Sequence, residues 1–195
     1  MTNKFKATNM SKLDNPMRRK ILPPEQIIQK LAIKEGQVVA DVGCGIGYFT
    51  IPMGKAVGVQ GKVYAIDINP LMLEEARRRI EEEKLTNVDF ILSAENSFRI
   101  NDGSVDMVFT STVYHELDTP EIFLKECKRV LKDRGILIIL DWNKIEEEMG
   151  PPIHKRKEIE FVKEDVEKAG FAVNEIDYIG RSFYIISCSS KNVIE

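Results

Sequence analysis

The run Val38-Val39-Ala40-Asp41-Val42, followed by Gly43-Cys44-Gly45-Ile46-Gly47, constrains this chain more than any other stretch. A short apolar segment meeting three glycines at alternate positions predicts a buried strand, a sharp turn and then a helix. Glycine lacks a Cβ, so the backbone can take φ > 0 and let a ligand approach closely, while the following helix presents unpaired N–H groups. Such a turn suits the sugar end of a nucleoside.

The glycine spacing narrows the ligand. A dinucleotide fingerprint reads G-x-G-x-x-G, with its third glycine for close helix–strand packing. Gly43 and Gly45 fit its first two positions, but Tyr48 stands at the third. A phosphate-cradling loop would end in Gly-Lys-Ser/Thr, and no Lys or Arg lies between Asp41 and Thr50. An acid before the glycines and no base within them favour a ligand that is cationic or neutral at this point. The ammonium and sulfonium of S-adenosylmethionine meet that demand.

With these residues the chain resembles the class I S-adenosylmethionine-dependent methyltransferases, whose first motif is two hydrophobic residues and then Asp/Glu-x-Gly-x-Gly-x-Gly. Asp41 to Gly47 match it at every defined position. The resemblance is nearest to the small-molecule branch that includes ubiquinone/menaquinone-type and arsenite-type enzymes. It implies cofactor contacts from Asp41, Gly43, Cys44, Gly45 and Gly47.

Further expectations follow along the chain. Lys62-Val63-Tyr64-Ala65-Ile66-Asp67 predicts a second strand with Asp67 at its tip. An acid there, about 20 residues after the glycines, can accept hydrogen bonds from ribose hydroxyls, and the family uses one so; an N-cap or turn aspartate before Pro70 is the plainer alternative. A third strand, Val88 to Leu92, ends in Ser93-Ala94-Glu95-Asn96. The family commonly has Gly-Asp-Ala-Glu here and binds adenine with it. Ser93 stands in place of the family aspartate; its oxygen can also accept from adenine, though it is shorter and uncharged. The backbone near Ala94 and Glu95 and apolar neighbours such as Ile68 and Met72 are the other expected contacts, an ordinary polar loop over Ser93–Asn96 being the plainer alternative. A fourth strand, Val105 to Thr110, precedes Ser111-Thr112-Val113-Tyr114-His115-Glu116. By the same resemblance the backbone carbonyl of Thr110 meets the cofactor's ammonium, and His115 and Tyr114 lie nearest the reacting methyl as catalytic candidates. A histidine near its ordinary pKa of roughly 6.5 can take a proton from an attacking phenol, thiol or activated carbon; packing or capping before the helix at Thr119-Pro120 is the other reading of His115. His154 is a second candidate base.

Strand and helix signals alternate from Glu35 to Leu140, as expected for a mostly parallel sheet with right-handed crossovers. An amphipathic helix is expected over Leu124–Leu131, then an apolar strand over Ile136–Leu140. A helix over Phe161–Ala169 precedes two strands, Phe171–Asp177 and Ser182–Cys188, whose short connection requires antiparallel pairing. The fold class is therefore α/β: a Rossmann-like, seven-stranded, mostly parallel sheet with helices on both faces and one antiparallel C-terminal strand. One methyltransferase domain is expected over residues 1–195. Residues 1–34 form an N-terminal helical cap, 35–142 the cofactor-binding core, and 143–195 a lid-like loop, a helix and the C-terminal hairpin. Trp142, the only tryptophan, either lines the substrate side or covers the core.

Composition excludes several classes. Charged residues make up 30% with a net charge of −3, and Arg77-Arg78-Arg79 is answered by Glu81-Glu82-Glu83, so no phosphate-binding stripe for nucleic acid is expected. No apolar run reaches the roughly 20 residues of a membrane span, and Met1-Thr2-Asn3-Lys4 leads into no signal-peptide core, which predicts a cytoplasmic protein. Cys44, Cys127 and Cys188 are too scattered for a metal site or disulfide framework, which also disfavours arsenite. The function expected is methyl transfer from S-adenosylmethionine to a small-molecule acceptor. The alternatives are a non-catalytic S-adenosylmethionine-binding or regulatory protein and a nicotinamide-dependent oxidoreductase.

Overall fold

In the computed structural model, residues 10–191 are described, apart from the Ser11 side chain, so the reading of Met1-Thr2-Asn3-Lys4 lies outside the described residues. Seven strands form one sheet. The chain divides into two compact units, residues 1–94 and 95–195.

The first unit begins with three short helices, α1 (Met10–Leu13), α2 (Pro16–Ile21) and α3 (Pro24–Lys30). Asn15 caps α2 by accepting from the Arg18 N–H at 2.9 Å, and Pro16 supplies a φ already suited to the first helical position. Then β1 (Val38–Val42), α4 (Thr50–Val57), β2 (Lys62–Asp67), α5 (Pro70–Glu82) and β3 (Val88–Leu92) alternate. The strands lie in the order β3-β2-β1, all parallel, with Val39 opposite Val63 and Ala65 opposite Phe90. Burial of β1 and β2 among Met53, Val57, Met72, Ala76 and Ile80 explains why they read as near-continuous apolar runs. The predicted bounds of β2 and β3 match the structure residue for residue.

The second unit contains β4 (Val105–Ser111), a one-turn 3-10 helix at Tyr114–Glu116, α6 (Pro120–Val130) and β5 (Leu131–Trp142). A second 3-10 turn at Ile153–Lys155, α7 (Ile159–Lys168), β6 (Phe171–Ile179) and β7 (Phe183–Ser190) follow. Its strand order is β4-β5-β7-β6. β4 and β5 are parallel, while β7 is antiparallel to both β5 and β6 and so is the one reversed strand of this unit, as expected. Two boundaries depart from the sequence reading. α6 starts four residues early, because Pro120 fixes the helical φ at its first turn. β5 starts at Leu131, which pairs with Val105, and the register then jumps so that Met107 faces Ile136; Lys132–Gly135 fill the gap as a bulge. Lys132 there reaches Asp106 at 2.9 Å, an ion pair that the polar composition of the bulge had concealed as a plain turn.

Candidate functional site

In the first unit the glycine turn is tied to the ends of two strands. The N–H groups of Gly43 and Cys44 both donate to the Ile66 carbonyl, at 2.8 and 3.1 Å, and the Gly47 N–H donates to the Cys44 carbonyl at 3.0 Å. Gly45 N–H donates to Oδ2 of Asp67 at 2.9 Å. Gly45 and Gly47 have φ of +53° and +82°, where a side chain would be strained, and a Cβ on Gly47 would lie 3.5 Å from that of Ala76 on α5.

Asp67 occupies the C-terminal tip of β2, 9% exposed. Its Oδ1 accepts from the Asn69 N–H at 2.8 Å, while Asn69 itself caps α5. The turn role that the sequence offered as the plainer alternative is therefore present, on a carboxylate that also binds the glycine turn. Burial raises its pKa against the backbone donors Asn69, Gly45 and Ile68. A carboxylate has about four acceptor positions, so Asp67 retains capacity for a hydroxyl donor. Beside it the apolar side chains of Ile68 and Leu92 stand 41% and 47% exposed, and Leu92 is the register partner of Asp67. Met72, by contrast, is buried and presents no surface to a base. Ser93 anchors its N–H on the Asp67 carbonyl at 3.0 Å, its hydroxyl contacts the exposed Ala94 carbonyl, and no aspartate-like acceptor replaces the missing family residue.

Asp41 has a structural partner. Its carboxylate is buried and accepts from the Thr50 hydroxyl at 2.5 Å, joining the end of β1 to the start of α4. Burial, opposed by Thr50 and reinforced by the charge of Asp67, pushes its pKa up to about 7. Cys44 is likewise buried and its thiol pKa is pushed up, so it contributes backbone geometry and not a thiolate.

The N-terminal helices lie on this turn. A Cβ at Gly45 would sit 3.6 Å from Cδ1 of Leu13. Asp14 pairs with Arg79 and, at 2.6 Å, with Arg19, while Arg79 also donates to the Ile46 carbonyl at 3.3 Å. The Tyr48 hydroxyl donates to the Leu22 carbonyl at 2.7 Å, and its ring carries the guanidinium groups of Arg18 and Arg19 at 4.9 and 5.6 Å. The tyrosine that breaks the dinucleotide fingerprint is therefore the anchor of the cap, a role that needed the fold to be seen.

In the second unit, Glu95 Oε1 accepts from the N–H groups of Asp118 and Thr119 at 3.0 and 3.3 Å, so its side chain serves the entry to α6. Thr110 is buried inside β4 opposite Ile139, and the strand continues through Ser111, which moves the strand end one residue beyond the expected contact. Both hydroxyls, Thr110 Oγ1 and Ser111 Oγ, are buried without a hydrogen-bond partner among the described residues. Buried polar groups of this kind are exceptions in folded proteins.

Tyr114 is withdrawn from the catalytic pair. It is fully buried, and its hydroxyl donates to Asp165 of α7 at 3.1 Å, with burial and that carboxylate raising its pKa. His115 is different: Nδ1 lies 2.8 Å from Oδ1 of Asp141, the penultimate residue of β5, which was not among the sequence's site candidates. Burial alone would lower the His115 pKa, but Asp141, with help from Glu116, raises it. His154 is exposed on its 3-10 turn. Trp142 resolves toward the core: its ring lies 4.3 Å from that of Phe183 and 5.0 Å from the Arg156 guanidinium. Arg156, only 3% exposed, was missed altogether; it donates to the carbonyls of Asn143, Ile145, Met149 and Pro151 and to Glu147, and so organises the 143–157 loop.

The residues present fit a nucleoside sulfonium. The N–H groups of Gly43, Cys44, Gly45 and Gly47 are all spent on internal acceptors, so these four do not offer themselves to a pyrophosphate. A hydroxyl-accepting acid and exposed apolar side chains remain. Among the described residues no cluster of His, Cys, Asp and Glu could hold a metal ion, and no helix is long and apolar enough to cross a membrane.

Comparison with known proteins agrees with this geometry. The profile of the methyltransferase domain family matches residues 33–170. An S-adenosylmethionine-dependent methyltransferase from Aquifex aeolicus superposes with a TM-score of 0.91 at 36% identity, covering 95% of this chain and 98% of that one. A demethylmenaquinone methyltransferase of a Geobacillus species is 28% identical over 64% of this chain and 53% of its own length. A ubiquinone/menaquinone biosynthesis C-methyltransferase of Hydrogenovibrio crunogenus is 32% identical over 60% of this chain and 47% of its own. This chain thus spans about half the length of those two curated relatives. On its motif, sheet and family match, the chain belongs to the methyltransferase domain family, as a class I S-adenosylmethionine-dependent member.

Proposed function

We propose that this protein moves a methyl group from S-adenosylmethionine to a hydroxylated aromatic small molecule of the quinol kind, with His115 receiving the proton that the acceptor loses. The observation that supports the cofactor most directly is the bond from Gly45 N–H to Asp67. It spends a donor that a phosphate would need, and it sets beside the glycine turn the kind of acid that this family uses for ribose hydroxyls. Asp67, Gly45, Gly47, Ile68 and the backbone at Ser93–Ala94 would hold the nucleoside. Asp41, Gly43, Cys44 and Glu95 hold the frame. The choice of a quinol rests on the activities for which the two curated relatives are named.

When bound, the cofactor supplies a methyl carbon already activated by a sulfonium, so the protein has no leaving group to create. What these residues contribute is alignment and exclusion of water, and near-attack positioning is worth roughly 7–11 kcal/mol in favourable cases. The test is calorimetric titration with S-adenosylhomocysteine, with NADH as control, followed by labelled methyl transfer to a 2-alkyl-1,4-naphthohydroquinone. S-adenosylhomocysteine should bind and NADH should not. Asp67→Ala should weaken binding by roughly 1.5–3 kcal/mol, the range for a hydrogen bond to a charged group. Unchanged affinity removes the ribose assignment, and binding without transfer to any acceptor favours a regulatory protein.

A further inference from the structure

Asp141 has three hydrogen-bonding contacts, and the two made by His115 place the loop that carries it. Its Oδ2 accepts from the His115 backbone N–H at 3.0 Å, and its Oδ1 accepts from the Trp142 N–H at 2.7 Å and faces Nδ1 of the His115 ring at 2.8 Å. The carboxylate already accepts two N–H groups, so the third contact is made when Nδ1 also donates. That fixes the tautomer: in the neutral ring Nε2 holds the lone pair. The side chains are 5% and 1% exposed, so the pair is shielded and its geometry rigid. Nε2 makes no hydrogen bond among the described residues; Glu116 Oε1, 3.8 Å away, is outside hydrogen-bonding range.

From this geometry we infer that Asp141 is a positioning residue that holds His115 with Nε2 ready to accept a proton, and that the methyl acceptor therefore carries a dissociable proton on oxygen or on activated carbon. The inference rests on the methyltransferase reading and narrows it. A tertiary amine or thioether acceptor brings no proton and would leave the pair without a task. In the step proposed, the acceptor's O–H or C–H bond breaks, and its electron pair forms the new bond to the methyl carbon. The proton goes to the Nε2 lone pair, giving an imidazolium beside Asp141. The pair of the broken carbon–sulfur bond stays on sulfur, and the imidazolium later returns its proton to water.

The charged and titratable groups facing the ring are Asp141 on β5, Glu116 in the adjoining turn and Lys155 in the Ile153–Lys155 turn, the last opposing the other two. Tyr184, the register partner of Asp141, feels the charge of that carboxylate and of Tyr114. Burial of the imidazolium is therefore offset chiefly by Asp141.

The test is 15N NMR of the histidine rings in the full chain, with the His115 signals assigned through His154→Gln. In the unsubstituted protein the neutral His115 ring should show a protonated Nδ1 and an unprotonated Nε2. In Asp141→Asn that preference should be lost and the ring should titrate at lower pH, with S-adenosylhomocysteine affinity unchanged as proof of fold. A protonated Nε2 in the unsubstituted protein overturns the inference without any variant. So does a titration that Asp141→Asn leaves in place, which would reduce Asp141 to a backbone anchor. Neither result touches the cofactor assignment, which stands or falls on the S-adenosylhomocysteine titration.

Discussion

Asp41→Asn should make the ligand-free protein more resistant to unfolding at pH 8 than at pH 4.5, relative to the unsubstituted chain. The Asp41 carboxyl is buried with one hydroxyl donor, and its pKa rises from 3.8 to about 7. Between those values the folded chain keeps a proton that the unfolded chain has released. The unfolded state therefore binds fewer protons, and unfolding free energy falls as pH rises through this window. Three units at 1.36 kcal/mol each give a penalty of about 4 kcal/mol, absent below the unfolded pKa and complete above about pH 7. Asparagine can still accept from Thr50 through its carbonyl and has no charge to bury. Urea unfolding of both proteins at intervals from pH 4.5 to 8.5 measures the difference directly. Slopes from Asp14 and Glu126, whose ion pairs with arginines lower their pKa values, are common to both proteins and cancel. The stability difference should grow toward neutral pH and then level off. Parallel profiles would refute the reasoning, because they would mean that the Asp41 carboxyl titrates alike in the folded and unfolded chains. Because the charge of Asp67 contributes to the shift, Asp67→Asn alone should make the slope shallower.

Arg156→Lys should loosen the 143–157 loop, since an ammonium cannot reproduce a planar fork that serves several carbonyls and stacks on Trp142; amide exchange at Asn143–Met149 should accelerate, with a loss of about 1–3 kcal/mol in stability, and unchanged exchange would deny Arg156 its organising role. Asp14→Asn should release the cap from Arg79 and Arg19. Trypsin should then cut faster within Arg18-Arg19-Lys20, and an unaltered cleavage rate would show that Tyr48 and Leu13 hold the cap without Asp14.

Much of the first unit was legible because its determinants are local. The β2 and β3 runs are β-branched or aromatic and end at Asn69-Pro70 and at the polar stretch from Ser93, so their bounds emerged intact. The glycine turn announced itself because positive φ selects glycine. The bulge in β5 did not, since Lys132-Asp133-Arg134-Gly135 has the composition of a turn and only pairing with β4 reveals a strand on either side of it. Arg156 was illegible for a related reason: a buried arginine is recognised by its partners, and five of those are backbone carbonyls or a glutamate scattered from Asn143 to Pro151.

The sequence by itself determined the alternation of strands and helices, the reversed C-terminal strand and the cofactor class, because periodicity, turn chemistry and glycine spacing act over a few residues. Only the tertiary structure decided what the polar side chains do. Asp41 turned inward to Thr50, Tyr114 to Asp165 and Glu95 to the α6 entry, while Asp141 came to His115 from 26 positions away. A carboxylate can satisfy itself with any donor the fold brings within about 3 Å, and that choice is set by packing across the sheet, not by neighbours along the chain.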